Sequence, residues 1–350
     1  MRTHTIERWR AEPAPQPRSE RRWWSAWLLP LALFPLLGAA QTLRVAVISD
    51  LNGAYGSTDY ATQVDHALSR IVALKPDLVI STGDMVAGQR RPHLTRGEVD
   101  RMWQAFHAHV SEPLQAAGIP LVVTPGNHDA SAYDGFALER TIYAEQWLQR
   151  RPAVQFLDAA GYPYYYAFSL GDILFISLDA TVVGHLPEQQ MAWLRQLLSR
   201  HGSQHRRRVV FSHLPLWPLA RGREREYIGD PRLQSLLEQA GVELYLSGHH
   251  HAFYPGVSGT TAFVGQACLG AGPRPLLGTE QRSARSFTLL EFTPEGIQAG
   301  AYQAPGFRTL VDWSTLPERI QSPAFQLLRA DLARGAAVRP ARTGAHQAGR

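Results

Sequence analysis

The feature that most constrains the fold is a pattern met five times: a short apolar, β-branched run that breaks into a polar turn. Leu43-Arg44-Val45-Ala46-Val47-Ile48-Ser49 runs into Asp50, and Asp77-Leu78-Val79-Ile80-Ser81 delivers Gly83-Asp84. Pro120 to Thr124 leads to Pro125-Gly126-Asn127-His128-Asp129, Arg208 to Phe211 leads to Ser212-His213, and Glu243 to Leu246 leads to Ser247-Gly248-His249-His250-His251. Runs this short, closed by turn residues, read as buried strands. Between them, Tyr60 to Leu74 has helical apolar spacing and is stopped by Lys75-Pro76, and Val99 to Ala117 is helical up to Gly118. Alternating strands and helices predict an α/β sheet, whose ligands gather outside the carboxyl ends of the strands. The five polar clusters are therefore expected to meet in one composite site.

Two further segments read as β-hairpins: Tyr164 to Leu170 with Ile173 to Leu178 across Gly171-Asp172, and Ser286 to Phe292 with Ile297 to Tyr302. Hairpins imply mixed rather than purely parallel sheets. After Gly306 the chain becomes rich in Arg, Ala and Pro, with a helix expected around Pro317 to Leu332 and a disordered end. This divides the chain into 1–40, 41–305 as the main domain, and a 306–350 tail expected to be partly disordered.

At 45% hydrophobic and 19% charged the chain has enough apolar material for a real core. The net charge of +5 resides at the ends: residues 1–40 carry six Arg against three Glu, residues 306–350 seven Arg against three acids, and the middle is slightly acidic. A groove tracking a phosphate backbone needs basic residues along it, so this distribution speaks against a nucleic-acid partner. A single cysteine, Cys268, excludes an intramolecular disulfide and a polythiolate metal site. Arg21 and Arg22 precede an apolar run from Trp23 to Leu37 that ends in Gly38-Ala39-Ala40, the layout of a cleaved signal peptide. That predicts a periplasmic or secreted protein; the alternative is a membrane anchor, although Pro30, Pro35 and a run shorter than the roughly 20 residues of a spanning helix argue against it. Export through the general or the twin-arginine route, and the oligomeric state, stay open.

Taken together, Asp50-Leu51-Asn52, Gly83-Asp84, Gly126-Asn127-His128-Asp129, Ser212-His213 and Gly248-His249-His250-His251, in this order and each after a strand, resemble the calcineurin-like metallophosphoesterase superfamily. The resemblance spans about residues 43–303 and implies a four-layer α/β/β/α sandwich with two mixed β-sheets and the metal site at the strand C-terminal ends. It implies two divalent ions bridged by Asp84, one also held by Asp50 and His251, the other by Asn127, His213 and His249. Such a pair, ~3.5–4 Å apart, can clamp a phosphoryl group and activate water. The expected activity is hydrolysis of a small phosphomonoester or phosphodiester by metal-activated hydroxide, with His128 as general acid and Asp129, or another carboxylate, fixing its tautomer.

Position 52 is Asn where the family usually has His, so the first ion either gains an amide oxygen or loses a ligand. Position 87 is Ala where purple acid phosphatases carry a tyrosine ligand, so a colourless protein is expected. Manganese is the favoured metal, with iron or zinc as alternatives. His250 is left out, since neighbours on an extended segment point to opposite faces. Arg221, Arg223 and Arg225 alternate with Glu224 and Glu226 and read as a solvated loop; Tyr55 and Tyr133 are equally suited to pocket lining and to local packing. The rival class is a metal-binding or interaction protein of the same fold without turnover, motivated by Asn52.

Overall fold

A computed structural model describes residues 42–341 except Ala271. The expected signal peptide, and the end of the tail beyond residue 341, lie outside the described residues.

The chain runs through β1 (Leu43–Ile48), α1 (Thr62–Leu74), β2 (Leu78–Ser81), α2 (Arg96–Phe106), a π-turn at His107–Ser111, α3 (Glu112–Ala116), β3 (Leu121–Val123), the single turn α4 (Asn127–Ala130), α5 (Ala137–Gln149) and β4 (Gln155–Asp158). It continues with β5 (Tyr166–Leu170), β6 (Ile173–Ser177), α6 (Glu188–His201), β7 (Arg207–Ser212), α7 (Pro231–Gln239), β8 (Leu244–Ser247), β9 (Tyr254–Ser258) and β10 (Thr261–Gly265). The last strands are β11 (Ser286–Phe292), β12 (Ile297–Gln303), β13 (Thr309–Leu310), β14 (Arg319–Ser322), β15 (Phe325–Arg329) and β16 (Val338–Pro340).

Local chemistry accounts for the boundaries. In α1 the apolar residues Val64, Ala67, Leu68, Ile71 and Leu74 form one stripe, and Lys75 in the left-handed region ends the helix before Pro76. Thr95 and Glu98 form a capping box at the start of α2, and Asp230 caps α7 with Pro231 in its first turn.

The first sheet has the order β13-β12-β11-β1-β2-β3 with β16 beside β12; the second is β14-β15-β9-β10-β8-β7-β6-β5-β4. Parallel pairing at β1-β2-β3, at β12-β16 and at β6-β7-β8-β10, with antiparallel pairs elsewhere, makes both sheets mixed. Strand alternation builds the layers. Val45 and Val47 of β1 enter the core between the sheets with Phe168, Phe175, Val209 and Leu244, while Ala46 and Ile48 pack outward against α1 and α2. The outer face of the second sheet packs Leu174, Ile176 and Val210 against Leu194, Leu198 and Leu233 of α6 and α7. Each such buried aliphatic contributes roughly 1.5–3 kcal/mol. The four-layer α/β/β/α sandwich with two mixed sheets is the observed fold.

The helix expected around Pro317 to Leu332 is instead the β14-β15 hairpin, which adds to the edge of the second sheet through Leu328 opposite Val257. Its inward residues Ile320 and Leu327 stand opposite one another, flanked by exposed Arg319, Gln321 and Gln326 and half-buried Leu328, a period of two. The otherwise unpaired edge of β9 supplies the partner that selects strand over helix. Residues 338–340 likewise join the first sheet, so a domain boundary after residue 305 falls inside both sheets.

Candidate metal centre

Asp50 follows β1, Asp84 follows β2, Asn127 follows β3, His213 follows β7, and His249 and His251 follow β8, so the two sheets contribute about equally. Asp50, Asp84, His249 and His251 all have positive φ, between 49° and 63°. Non-glycine residues there cost of order 1–3 kcal/mol each and persist only where the surroundings over-determine them. The surroundings are cross-linked loops: Asp50 N–H donates to Gly83 O (3.0 Å), Leu51 N–H to Asp84 O (2.9 Å), and Gly248 N–H to His213 O (2.9 Å). Gly126 is required by proximity, since a Cβ there would overlap the backbone nitrogen and Oδ1 of Asp84.

Four ligand atoms converge. His213 Nδ1 donates to Thr82 O (2.8 Å), which leaves a lone pair on Nε2; that atom lies 2.9 Å from Asn127 Oδ1, 3.2 Å from His249 Nδ1 and 3.2 Å from Asp84 Oδ2. Asn127 presents its oxygen because Nδ2 donates to Gln89 Oε1 (2.7 Å). His249 presents Nδ1 because Nε2 donates to Glu226 Oε2 (2.9 Å). Two imidazole nitrogens, an amide oxygen and a carboxylate oxygen thus face one another at hydrogen-bond distance, an arrangement that a metal ion or a proton on His213 Nε2 satisfies. Positive charge is favoured at this point. Burial works against a charged His213, yet the carboxylate of Asp84 outweighs it and pushes the imidazole up to about 9. His249 is held well below its usual value by burial and by His213. Among the described residues, Asp84, His213 and His249 form a group able to hold a metal ion.

The second part of the expected set lies alongside. His251 Nδ1 donates to Gly272 O (3.0 Å), leaving Nε2 3.2 Å from Asp50 Oδ1. Asp50 Oδ2 accepts from the Ser49 hydroxyl (2.5 Å), which accepts in turn from Thr82 Oγ1 (2.7 Å). Asn52 lines the same cavity as His128 and His251, and its Oδ1 is buried without a hydrogen-bond partner. A buried orphan acceptor facing a ligand cluster fits an amide oxygen that completes a coordination shell.

His128 is brought to the rim. Nδ1 donates to Gly88 O (2.9 Å), so Nε2 is the free end, 3.8 Å from Asp84 Oδ2. Asp129 is not its partner, which corrects the sequence expectation. The Asp129 carboxylate is fully buried and turned inward, Oδ1 accepting from the N–H groups of Met85 (2.8 Å) and Val86 (2.9 Å), and Oδ2 from Gly126 N–H (2.9 Å). It braces the loop that carries Asp84; the Gly88 carbonyl orients the histidine.

His250 faces away as expected: Nδ1 accepts from the N–H groups of Leu219 and Ala220, and Nε2 donates to Glu226 O. Sequence reasoning missed Gln89 and Glu226, which aim Asn127 and His249. The Arg–Glu segment is not simply solvated, for Arg223 pairs with Glu226 and lines the cavities beside the ligands, while Arg221 pairs with Glu280. Tyr55 and Tyr133 both line a cavity with His128, and the Tyr55 ring lies 5.1 Å from that imidazole.

A two-sheet sandwich whose strand ends carry an Asp, Asn and His ligand set is the architecture of metal-dependent phosphoesterases. The sequence model of calcineurin-like phosphoesterases matches residues 43–253, and the chain belongs to that family. It is 25% identical to purple acid phosphatase 15 of Arabidopsis thaliana over 60% of this chain and 40% of that protein. It is 24% identical to serine/threonine-protein phosphatase CPPED1 of Bos taurus over 64% and 71%. The chain thus spans less than half the length of the plant relative. Among solved structures it resembles purple acid phosphatase PPD1 of Lupinus luteus (TM-score 0.56, 17% identity, 75% of this chain and 52% of that one) and a dimetal phosphatase of Danio rerio (0.52, 17%, 74% and 95%). These likenesses show the fold.

Proposed function

We propose that this chain hydrolyses a small phosphomonoester or phosphodiester using two divalent ions, manganese favoured and iron or zinc as alternatives. The convergence of His213 Nε2, Asn127 Oδ1, His249 Nδ1 and Asp84 Oδ2 carries the reading. Asp84, Asn127, His213 and His249 would hold one ion; Asp50, Asn52, His251 and Asp84 the other. The ions, when bound, supply Lewis-acid polarisation of the phosphoryl group and activation of the attacking water. His128, anchored at Nδ1 by Gly88 O, delivers a proton from Nε2 to the departing alkoxide. Ala87 places no phenol among the ligands, so no visible charge-transfer band is expected.

The Arg21-Arg22 pair and the apolar run after it support a periplasmic or secreted protein, with anchoring as the alternative. Among the described residues no helix is long and apolar enough to cross a membrane. A second reading, a metal-binding or interaction protein without turnover, is favoured by Asn52 in place of the family's usual histidine. Elemental analysis combined with hydrolysis of 4-nitrophenyl phosphate and bis(4-nitrophenyl) phosphate in manganese decides between them. Two ions per chain with manganese-dependent turnover support the hydrolase; bound metal with no turnover of either ester supports the second reading.

A further inference from the structure

We infer that the phosphoester taken by this chain carries a second anionic group, held beside the metal ligands by Arg274 and Arg282. The inference rests on the hydrolase reading above and names its substrate class.

A cavity of about 380 Å³ opens beside Asn52, His128 and His251, and Arg223, Arg274 and Arg282 line it. That volume is in the range of pockets for whole small ligands, roughly 300–1,000 Å³, and exceeds the needs of a phosphoryl group alone. The three cations differ in how they are matched. Arg223 pairs with Glu226. Arg274 and Arg282 have no ion-pair partner among the described residues, whereas Arg221 on the adjoining segment has Glu280. Arg274 is half-buried and its Nε is enclosed without a hydrogen-bond partner. Burial, and after it the neighbouring Arg223, work against the charge on Arg274, and Glu226, already paired with Arg223, offsets them only in part. An unpaired, partly buried cation such as Arg274 is costly, and an anion between it and the exposed Arg282 is the group that restores the balance.

The pair is also fixed relative to the ligands. Arg274 N–H donates to the carbonyl of His251 (3.2 Å), and Ser283 N–H donates to Arg274 O (2.9 Å). Pro275 and Arg282 form an antiparallel bridge, and Arg282 Nη1 donates to Pro273 O (3.4 Å). The two arginines therefore project from one tight β-loop whose first residues are tied to a metal ligand. Planar guanidinium groups suit the paired oxygens of phosphate or carboxylate. The reacting phosphoryl group is already matched by the ion site and His128, which leaves these arginines for a second anion on the same substrate.

The test compares kcat/KM of the manganese-loaded full chain for fructose 1,6-bisphosphate and fructose 6-phosphate, with 4-nitrophenyl phosphate as reference. The expected result is a preference for the bisphosphate on the order of tenfold or more, lost in Arg274→Gln and Arg282→Gln variants whose metal content matches the wild type. No preference in the wild-type chain, or a preference that survives in both variants, overturns the inference while the hydrolase reading stands on the reference substrate. Absence of turnover on all three compounds overturns both.

Discussion

Replacing Gln89 with Leu tests whether the arrangement of ligands is set from behind. Gln89 touches no proposed ion, yet its Oε1 accepts from Asn127 Nδ2 at 2.7 Å, while its Nε2 donates to Ser131 Oγ at 3.1 Å. Leu keeps the bulk and removes both bonds. The orphaned Asn127 amide then gains by rotating, which would turn Nδ2 instead of Oδ1 toward His213 Nε2. An unsatisfied buried donor costs about 1–3 kcal/mol, so the rotated amide is the stable one without metal. Outer-shell changes of this kind typically cost 10–100-fold in metal affinity. Gln89→Leu is therefore expected to weaken manganese binding at the Asn127 site by about that factor, with activity recovered at saturating metal. Gln89→Glu, which retains the accepting oxygen, should stay close to wild type. Calorimetric titration of metal-free protein reads the affinity directly. Wild-type affinity in Gln89→Leu, or an equal loss in both variants, would refute the view that this one acceptor aims Asn127.

Three further expectations can be checked separately. His128→Ala should lower kcat by about 10²–10⁴ with the metal content unchanged; loss of metal in that variant would show that the ring serves the ion site instead of the leaving group. Asn52→Ala removes an acceptor that has no partner, so the melting temperature of the metal-free protein should hold or rise while affinity for one ion falls; a lower melting temperature without metal would show that the oxygen is satisfied in solution. The His107 imidazole is lowered to about 4, first by burial and then by Arg150, so the folded chain binds fewer protons than the unfolded one between about pH 6.5 and 4. Its contribution is present above that window and is lost as the pH falls through it, so acid melts of His107→Gln should show a shallower decline than wild type.

Much of the site was legible because its signals are local. A buried strand that ends in Asp, Asn or His announces both its period and its carboxyl end within a few residues, so the five polar clusters could be read directly, while the choice of Asp50, Asp84, Asn127, His213, His249 and His251 among them came with the resemblance to the calcineurin-like family. The two hairpins at Gly171 and before Ile297 were legible for the same reason. The C-terminal segment was not, since its composition permits a helix and only the free edge of β9 selects a strand.

Which way a side chain points was beyond the sequence wherever the deciding partner lies far along the chain. Asp129 neighbours His128 in sequence, but the N–H groups of Met85 and Val86, more than forty residues earlier, claim its carboxylate. Gln89 reaches Asn127, Glu226 reaches His249, and Arg274 is tied to His251, in each case across a loop. By itself the sequence determined the fold class and the polar residues that cluster at each strand end, because periodicity and turn chemistry act over a few residues. The tertiary structure alone decided which lone pairs converge and which cations stay unmatched, because hydrogen-bond acceptors and charges are shared out only once the two sheets have packed.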